Sequence, residues 1–268
     1  MTRWTCSLAV FIAIGLSAST RASAWPGENA LGKADTTIDI EASDDRYPFC
    51  STVDVATARK MALKRFPKVR RAIVAASGPA MEILAKARWL GELDRLWVCT
   101  DARGLRALAR VRGVRKLIEL QVASDDGRPL DSDAVRELVR SSGLRSLERL
   151  RFSGSDSEAE RSIGSDGVIA IAKHARLPHL LALDLSWNPV DENAVATLAG
   201  SGLARQLEEL NLCRTALPTD AVIAAMLTNL KRLCISDLIG GRAPADEKRL
   251  EAAYGTVFSP AVDWLDEP

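Results

Sequence analysis

The sequence is short of the side chains that carry most biological chemistry. Among 268 residues there are two histidines, five cysteines and two tyrosines, and aromatic residues make up 5% of the chain. So few imidazoles leave little material for general bases or a metal-ligand set. So few rings argue against a stacking platform for single-stranded nucleic acid. Neither sign of charge predominates, since 36 Lys and Arg stand against 35 Asp and Glu, which gives no electrostatic drive toward nucleic acid or an acidic membrane surface. G-x-S-x-G, H-E-x-x-H and phosphate-loop patterns are missing, as are paired C-x-x-C spacings and a D-x-D-x-D-G calcium loop. His174 and His179 read as surface or helix-end residues, and no cofactor or metal is expected.

What is present is an apolar share of 47%, ample for a large core. The first segment has Arg3, an apolar run from Leu8 to Leu16 and the small residues Ala22-Ser23-Ala24 before Trp25. That layout predicts a secretory signal peptide over 1–24, cleaved after Ala24, and a secreted or periplasmic location. The run is about half the ~20 residues that a membrane span needs, so no span is expected after cleavage.

Downstream, the pattern L-x-x-L-x-L recurs. Leu180, Leu183, Leu185 and Leu207, Leu210, Leu212 are its clearest copies, with Leu93, Leu117, Leu147 and Leu230 opening others and a weaker one at Val69, Ala72, Val74. The seven copies begin at 69, 93, 117, 147, 180, 207 and 230, so the steps are 24, 24, 30, 33, 27 and 23 residues. The segment LLALDLSWNPV, Leu180 to Val190, resembles a leucine-rich repeat with Asn188 in the asparagine position, and LEELNLCRTAL resembles it with Thr215 there. In that family the asparagine bonds backbone groups of neighbouring turns, so the threonine departs from the pattern.

Helical stretches lie between the leucine segments, with start signals at Asp131 or Ser132, Ser165, Asp191 and Thr219, and Pro79 suits a first helical position. Each turn reads strand, loop, helix, loop. The expected fold is therefore an α/β leucine-rich repeat solenoid of about seven strand-helix turns, a curved arc with a parallel inner sheet and outer helices. Full helices on the outside resemble the ribonuclease-inhibitor-like class of the family. The solenoid is assigned to 69–236, a linker and N-terminal cap to 25–68 and a C-terminal cap to 237–268. Val53 to Phe66 and Asp246 to Tyr254 are the capping helices that cover terminal turns.

Because strand side chains alternate, residues between the leucines face the open concave surface. Arg71, Arg95, Trp97, Arg149, Arg151, Asp184 and Glu209 are the candidate partner-binding residues, and Trp97 flanked by Arg71 and Arg95 is the best candidate anchor. The two longest steps place their extra residues before the next helix, around Asp125, Asp126, Asp156, Glu158 and Glu160, which predicts two acidic loops on one edge of the arc. Cys50, Cys99, Cys213 and Cys234 are read as thiols in preference to two bridges, because a diagonal Cys213–Cys234 pair on neighbouring strands would lie ~8 Å apart. The expected function is that of an exported, non-catalytic module that binds a protein, with no nucleic acid partner. The alternatives are a hydrolase site grafted on the solenoid edge and an intracellular substrate adaptor of a ubiquitin ligase.

Overall fold

The computed structural model describes residues 36–40 (as backbone), 53–66, 68–124, 130–152, 163–215, 217–236 and 243–259. The signal segment, Cys50 and the acids of both long loops lie outside them. Nine strands follow one another in space in the order of the sequence: β1 (Thr36–Ile40), β2 (Val69–Ala75), β3 (Arg95–Thr100), β4 (Glu119–Ser124), β5 (Arg149–Phe152), β6 (Ala182–Asp184), β7 (Glu209–Asn211), β8 (Arg232–Cys234) and β9 (Phe258–Ser259). Every neighbouring pair is parallel. A parallel neighbour needs a crossover. Helices supply it: α1 (Val55–Leu63), α2 (Gly78–Leu84), α3 (Ala102–Ala109), α4 (Ser132–Val139), α5 (Ser165–His174), α6 (Glu192–Ala199), α7 (Thr219–Ala224) and α8 (Pro244–Tyr254). Consecutive helices pack on one another. The sheet stays open, with β1 and β9 at its edges.

The apolar pattern fixes the register. Ala72, Leu96, Leu120, Leu150, Leu183, Leu210 and Leu233 are matched strand to strand, and none of them is more than 1% exposed. Each therefore sits between the equivalent residues of adjacent turns, in one continuous core. The parallel sheet runs one strand beyond 69–236 at each end, and β1 lies within the stretch read as linker. Helices α1 and α8 occupy the stretches read as caps. Trp89 Nε1 donates to the Met61 carbonyl (3.2 Å) beneath α1, and Tyr254 of α8 donates to the Val222 carbonyl (2.6 Å).

Asp54, Asp101, Asp131 and Asp191 cap α1, α3, α4 and α6 by accepting from the amides of Thr57, Gly104, Ala134 and Ala194. Ser165 and Thr219, expected as caps, are instead the first helical residues, after Gly164 and Pro218. From inside the helix the Ser165 hydroxyl serves the neighbouring turn, donating to the Pro189 carbonyl (3.2 Å) and accepting from the Asp191 amide (2.9 Å). Asp101 likewise works in two turns, since its second oxygen accepts from the Gly78 amide at 3.0 Å. Beside it, a β-carbon on Gly104 would lie 1.9 Å from Thr100 Oγ1 and 3.0 Å from Met81 Cβ. Gly104→Ala is expected to lower stability by about 1–3 kcal/mol through overpacking of this buried seam. A thermal melt checks it, and an unchanged Tm would show that the seam has slack.

Two side-chain links near the C-terminal end hold turns together. Asn188, 1% exposed, donates through Nδ2 to the carbonyls of Phe152 (2.5 Å), Leu185 (3.1 Å) and Ser186 (3.0 Å), and accepts from the Ile163 amide at 2.9 Å. Thr215, at the equivalent place, donates to the Leu212 carbonyl of its own turn. The second link corrects the reading of the cysteines: Cys213 and Cys234 form a disulfide, with Cα atoms 5.4 Å apart. The ~8 Å diagonal assumed that β7 continues through Cys213. It ends at Asn211, and the chain turns at Cys213 and Arg214, which brings the two residues within bridging range. Cys99 is disulfide-bonded as well.

Candidate functional site

With the leucines turned to the helices, the intervening residues make two rows on the other face. The strand register places Arg71, Arg95, Glu119, Arg149, Ala182, Glu209 and Arg232 in the first row, and Ile73, Trp97, Gln121, Arg151, Asp184, Asn211 and Cys234 in the second. All seven candidate residues thus share one face. They are not equally open. Arg149 is exposed, whereas Arg95, Trp97, Arg151 and Glu209 are half-buried.

Arg71 and Asp184 differ from the expectation of an open position, at 7% and 2% exposure. Arg71 stands between β1 and β3, and β1 was not foreseen as a strand. Asp184 ends β6, where its Oδ1 accepts from the Ser186 amide (2.8 Å) and Arg151 Nε lies 2.8 Å from Oδ2. That approach is out of line for a hydrogen bond, so the pair is held by charge. Asn211, also read as open, is 3% exposed and accepts from the Cys213 amide. Both side chains close the tight turn after a short strand, which is why they fold back instead of facing outward.

The face is cross-linked by ion pairs that each span one strand boundary. Arg95 Nε is 3.3 Å from Glu119 Oε2, and Arg151 pairs with Asp184. A shallow depression lies between them, lined by Glu119, Gln121, Arg149, Arg151, Ala182 and Asp184. Burial pushes the Asp184 carboxyl above its ordinary value, against Arg151 and the hydrogen bonds of Ser186 and Asn211, which pull it down. An acid whose pKa is raised on folding contributes stability that is complete below its unfolded value and is lost as pH rises through the folded value. We therefore expect the stability difference between the native chain and Asp184→Asn to favour the native chain most near pH 3 and to decline as pH increases. Urea melts between pH 3 and 8 check the sign; a difference that grows with pH would contradict it.

A pair that sequence reasoning missed lies just beyond these rows. Trp187 and Arg214 occupy equivalent positions in consecutive turns and both have left-handed backbone, φ 63° and 61°. The Arg214 guanidinium stacks 4.1 Å from the Trp187 ring centroid. Bulky residues rarely adopt this backbone. Here each amide donates to a carbonyl of the following turn, Trp187 to Cys213 and Arg214 to Ser236, which holds the conformation. The signal available in sequence was their shared offset from Leu185 and Leu212, which the notation L-x-x-L-x-L leaves unread.

The outer face is different. Arg103–Glu82, Arg106–Asp131 and Arg110–Glu137 bridge neighbouring turns at solvent-exposed positions. Among the described residues no three His, Cys, Asp or Glu side chains are grouped to hold a metal ion, and no helix is long and apolar enough to cross a membrane.

No protein-family model and no curated protein matches the chain. Among solved structures, the crystal structure of the TLR13-ssRNA13 complex is similar at 15% sequence identity and a TM-score of 0.35, over 74% of this chain and 32% of that one. The chain spans about a third of that protein's length. A likeness this loose carries nothing about ligands.

Proposed function

We propose that this chain is an exported, non-catalytic leucine-rich repeat module that binds a protein partner through the open face of its sheet. The observation that carries the reading is the contrast between faces. Ion pairs link neighbouring turns on both, but the sheet face sets Trp97 among Arg95, Arg149 and Arg151, with Glu209, on register-locked strands. Tryptophan and arginine are favoured anchors at protein interfaces, and a scaffold ordered before binding loses little entropy on association. Export is supported by the Leu8 to Leu16 run ahead of Ala24 and by disulfide bonding at Cys213, Cys234 and Cys99, which fits an oxidising compartment. In this reading 1–24 is removed, the repeats fill 69–236 and the flanking segments cap them.

The test places a photo-crosslinking amino acid at Arg149 or, as a control, at Arg136 on the outer face, and exposes the purified protein to the native extracytoplasmic fraction. Crosslinks to a protein are expected from position 149 and not from 136. With the captured partner in hand, Trp97→Ala and Arg151→Glu should each weaken binding by about tenfold or more at matched melting temperature. Crosslinks confined to position 136, or affinities unchanged by both variants, would overturn the reading.

A further inference from the structure

Arg149 is a charged position on the open face that no carboxylate among the described residues engages. Arg95 is engaged by Glu119 and Arg151 by Asp184, whereas Arg149 is exposed and makes no ion pair among the described residues. Its partner in register on β6 is Ala182. Elsewhere along that row the same place holds Arg71, Arg95, Glu119, Glu209 or Arg232. This short side chain lines the depression beside Arg149 and Arg151. A planar guanidinium at the rim of such a dent matches a carboxylate, which it can hold by two parallel hydrogen bonds.

The surroundings give that carboxylate a context. Trp97 lies in register two strands before Arg151, and Glu209 two strands beyond Arg149. Strands are spaced at about 4.8 Å, so Arg149 to Glu209 is about 10 Å, whereas Trp97, one row across from Arg149, is about 12 Å from it; an extended segment advancing about 3.3 Å per residue covers the first in three residues and the second in three to four. A uniform polyanion is disfavoured because Glu119, Asp184 and Glu209 share the face with the arginines. We infer that the open face takes an extended peptide segment of a partner protein, laid across the strands, that presents an apolar side chain to Trp97, a carboxylate to Arg149 three to four residues on, and a basic side chain to Glu209 three residues further. This rests on the open-face reading and gives its partner a chemistry.

The experiment pans a random 12-residue peptide library displayed on phage against the full, disulfide-intact protein, then measures synthetic copies of the enriched peptides by fluorescence anisotropy. The expected pool shows an acidic residue with an apolar residue three or four positions to one side and a basic residue three to the other. Arg149→Glu should weaken those peptides about tenfold or more, Arg149→Lys much less, and replacing the peptide's acid by lysine should restore binding to Arg149→Glu. A pool without acidic enrichment, an Arg149→Glu affinity within twofold of the native protein, or tighter binding of a 20-residue oligothymidylate than of any peptide would overturn the inference. If Trp97→Ala weakens binding while Arg149→Glu does not, the inference falls and the open-face reading stands. If neither variant matters, both fall.

Discussion

Leu183→Asp is expected to leave the chain unfolded at room temperature. Leu183 is fully buried between Leu150 and Leu210, its partners in register on either side, and is continuous with a core that runs the length of the sheet. A carboxylate there has no cation or amide to meet, and burying it uncompensated, together with the lost leucine contacts, costs on the order of 5 kcal/mol or more. Domains of this size are commonly stable by about 5–15 kcal/mol, so one such change removes much or all of the margin. Far-UV circular dichroism and urea melts measure it. Arg149→Ala, one residue away from the same core row on β5, should shift the midpoint by less than about 0.5 kcal/mol. Equal losses at both positions would mean that the inward and outward assignment of the strands is wrong. Asp184→Ala is not a neutral control, because it strands the Ser186 amide and the Arg151 charge.

The second large effect is expected at Asn188. Its amide group reaches the carbonyls of Phe152, Leu185 and Ser186, and its oxygen takes the Ile163 amide, all in a site 1% exposed. Alanine would leave these groups buried without a partner, at about 1–3 kcal/mol for each one that water cannot reach. We expect a total near 3–4 kcal/mol for Asn188→Ala, read as a fall in the urea midpoint at constant m. Asn188→Asp should be no milder, since it keeps the acceptor but aims a second oxygen at three carbonyls. Thr215→Ala removes one bond within a single turn and should cost about 1 kcal/mol. Equal costs at Asn188 and Thr215 would show that bridging two turns adds nothing.

Strands β2 to β8 were legible in the sequence because their signal is redundant. Each leucine is matched by one in the next turn, and a one-residue slip would turn a whole row to solvent. The carboxylate caps at Asp131 and Asp191 were legible for the same local reason: the acceptor and the amide it serves are three residues apart. Contacts between turns were not legible. Ser165 carries a cap's side chain yet bonds the following turn, and Cys213 meets Cys234 only because β7 stops at Asn211, one residue short of its apolar pattern. The candidate site divides along the same line. Its residues were placed on one face by alternation alone, but the burial of Arg71 needed β1, and the freedom of Arg149 beside Ala182 needed the ion pairs of its neighbours.

The Cys213–Cys234 bridge has a consequence for how the stack comes apart. In an array where each turn leans only on its neighbours, melting starts as fraying at an end and moves inward one unit at a time. A covalent rivet between the strand turns of β7 and β8 removes that option at one end. Once α8 and β9 have come away, the two units it joins can dissociate from β6 only as a block, so the next step of unravelling is twice as large. The boundary between order and disorder is thereby held at β7 and β8, beyond the strand that carries Arg149 and Arg151.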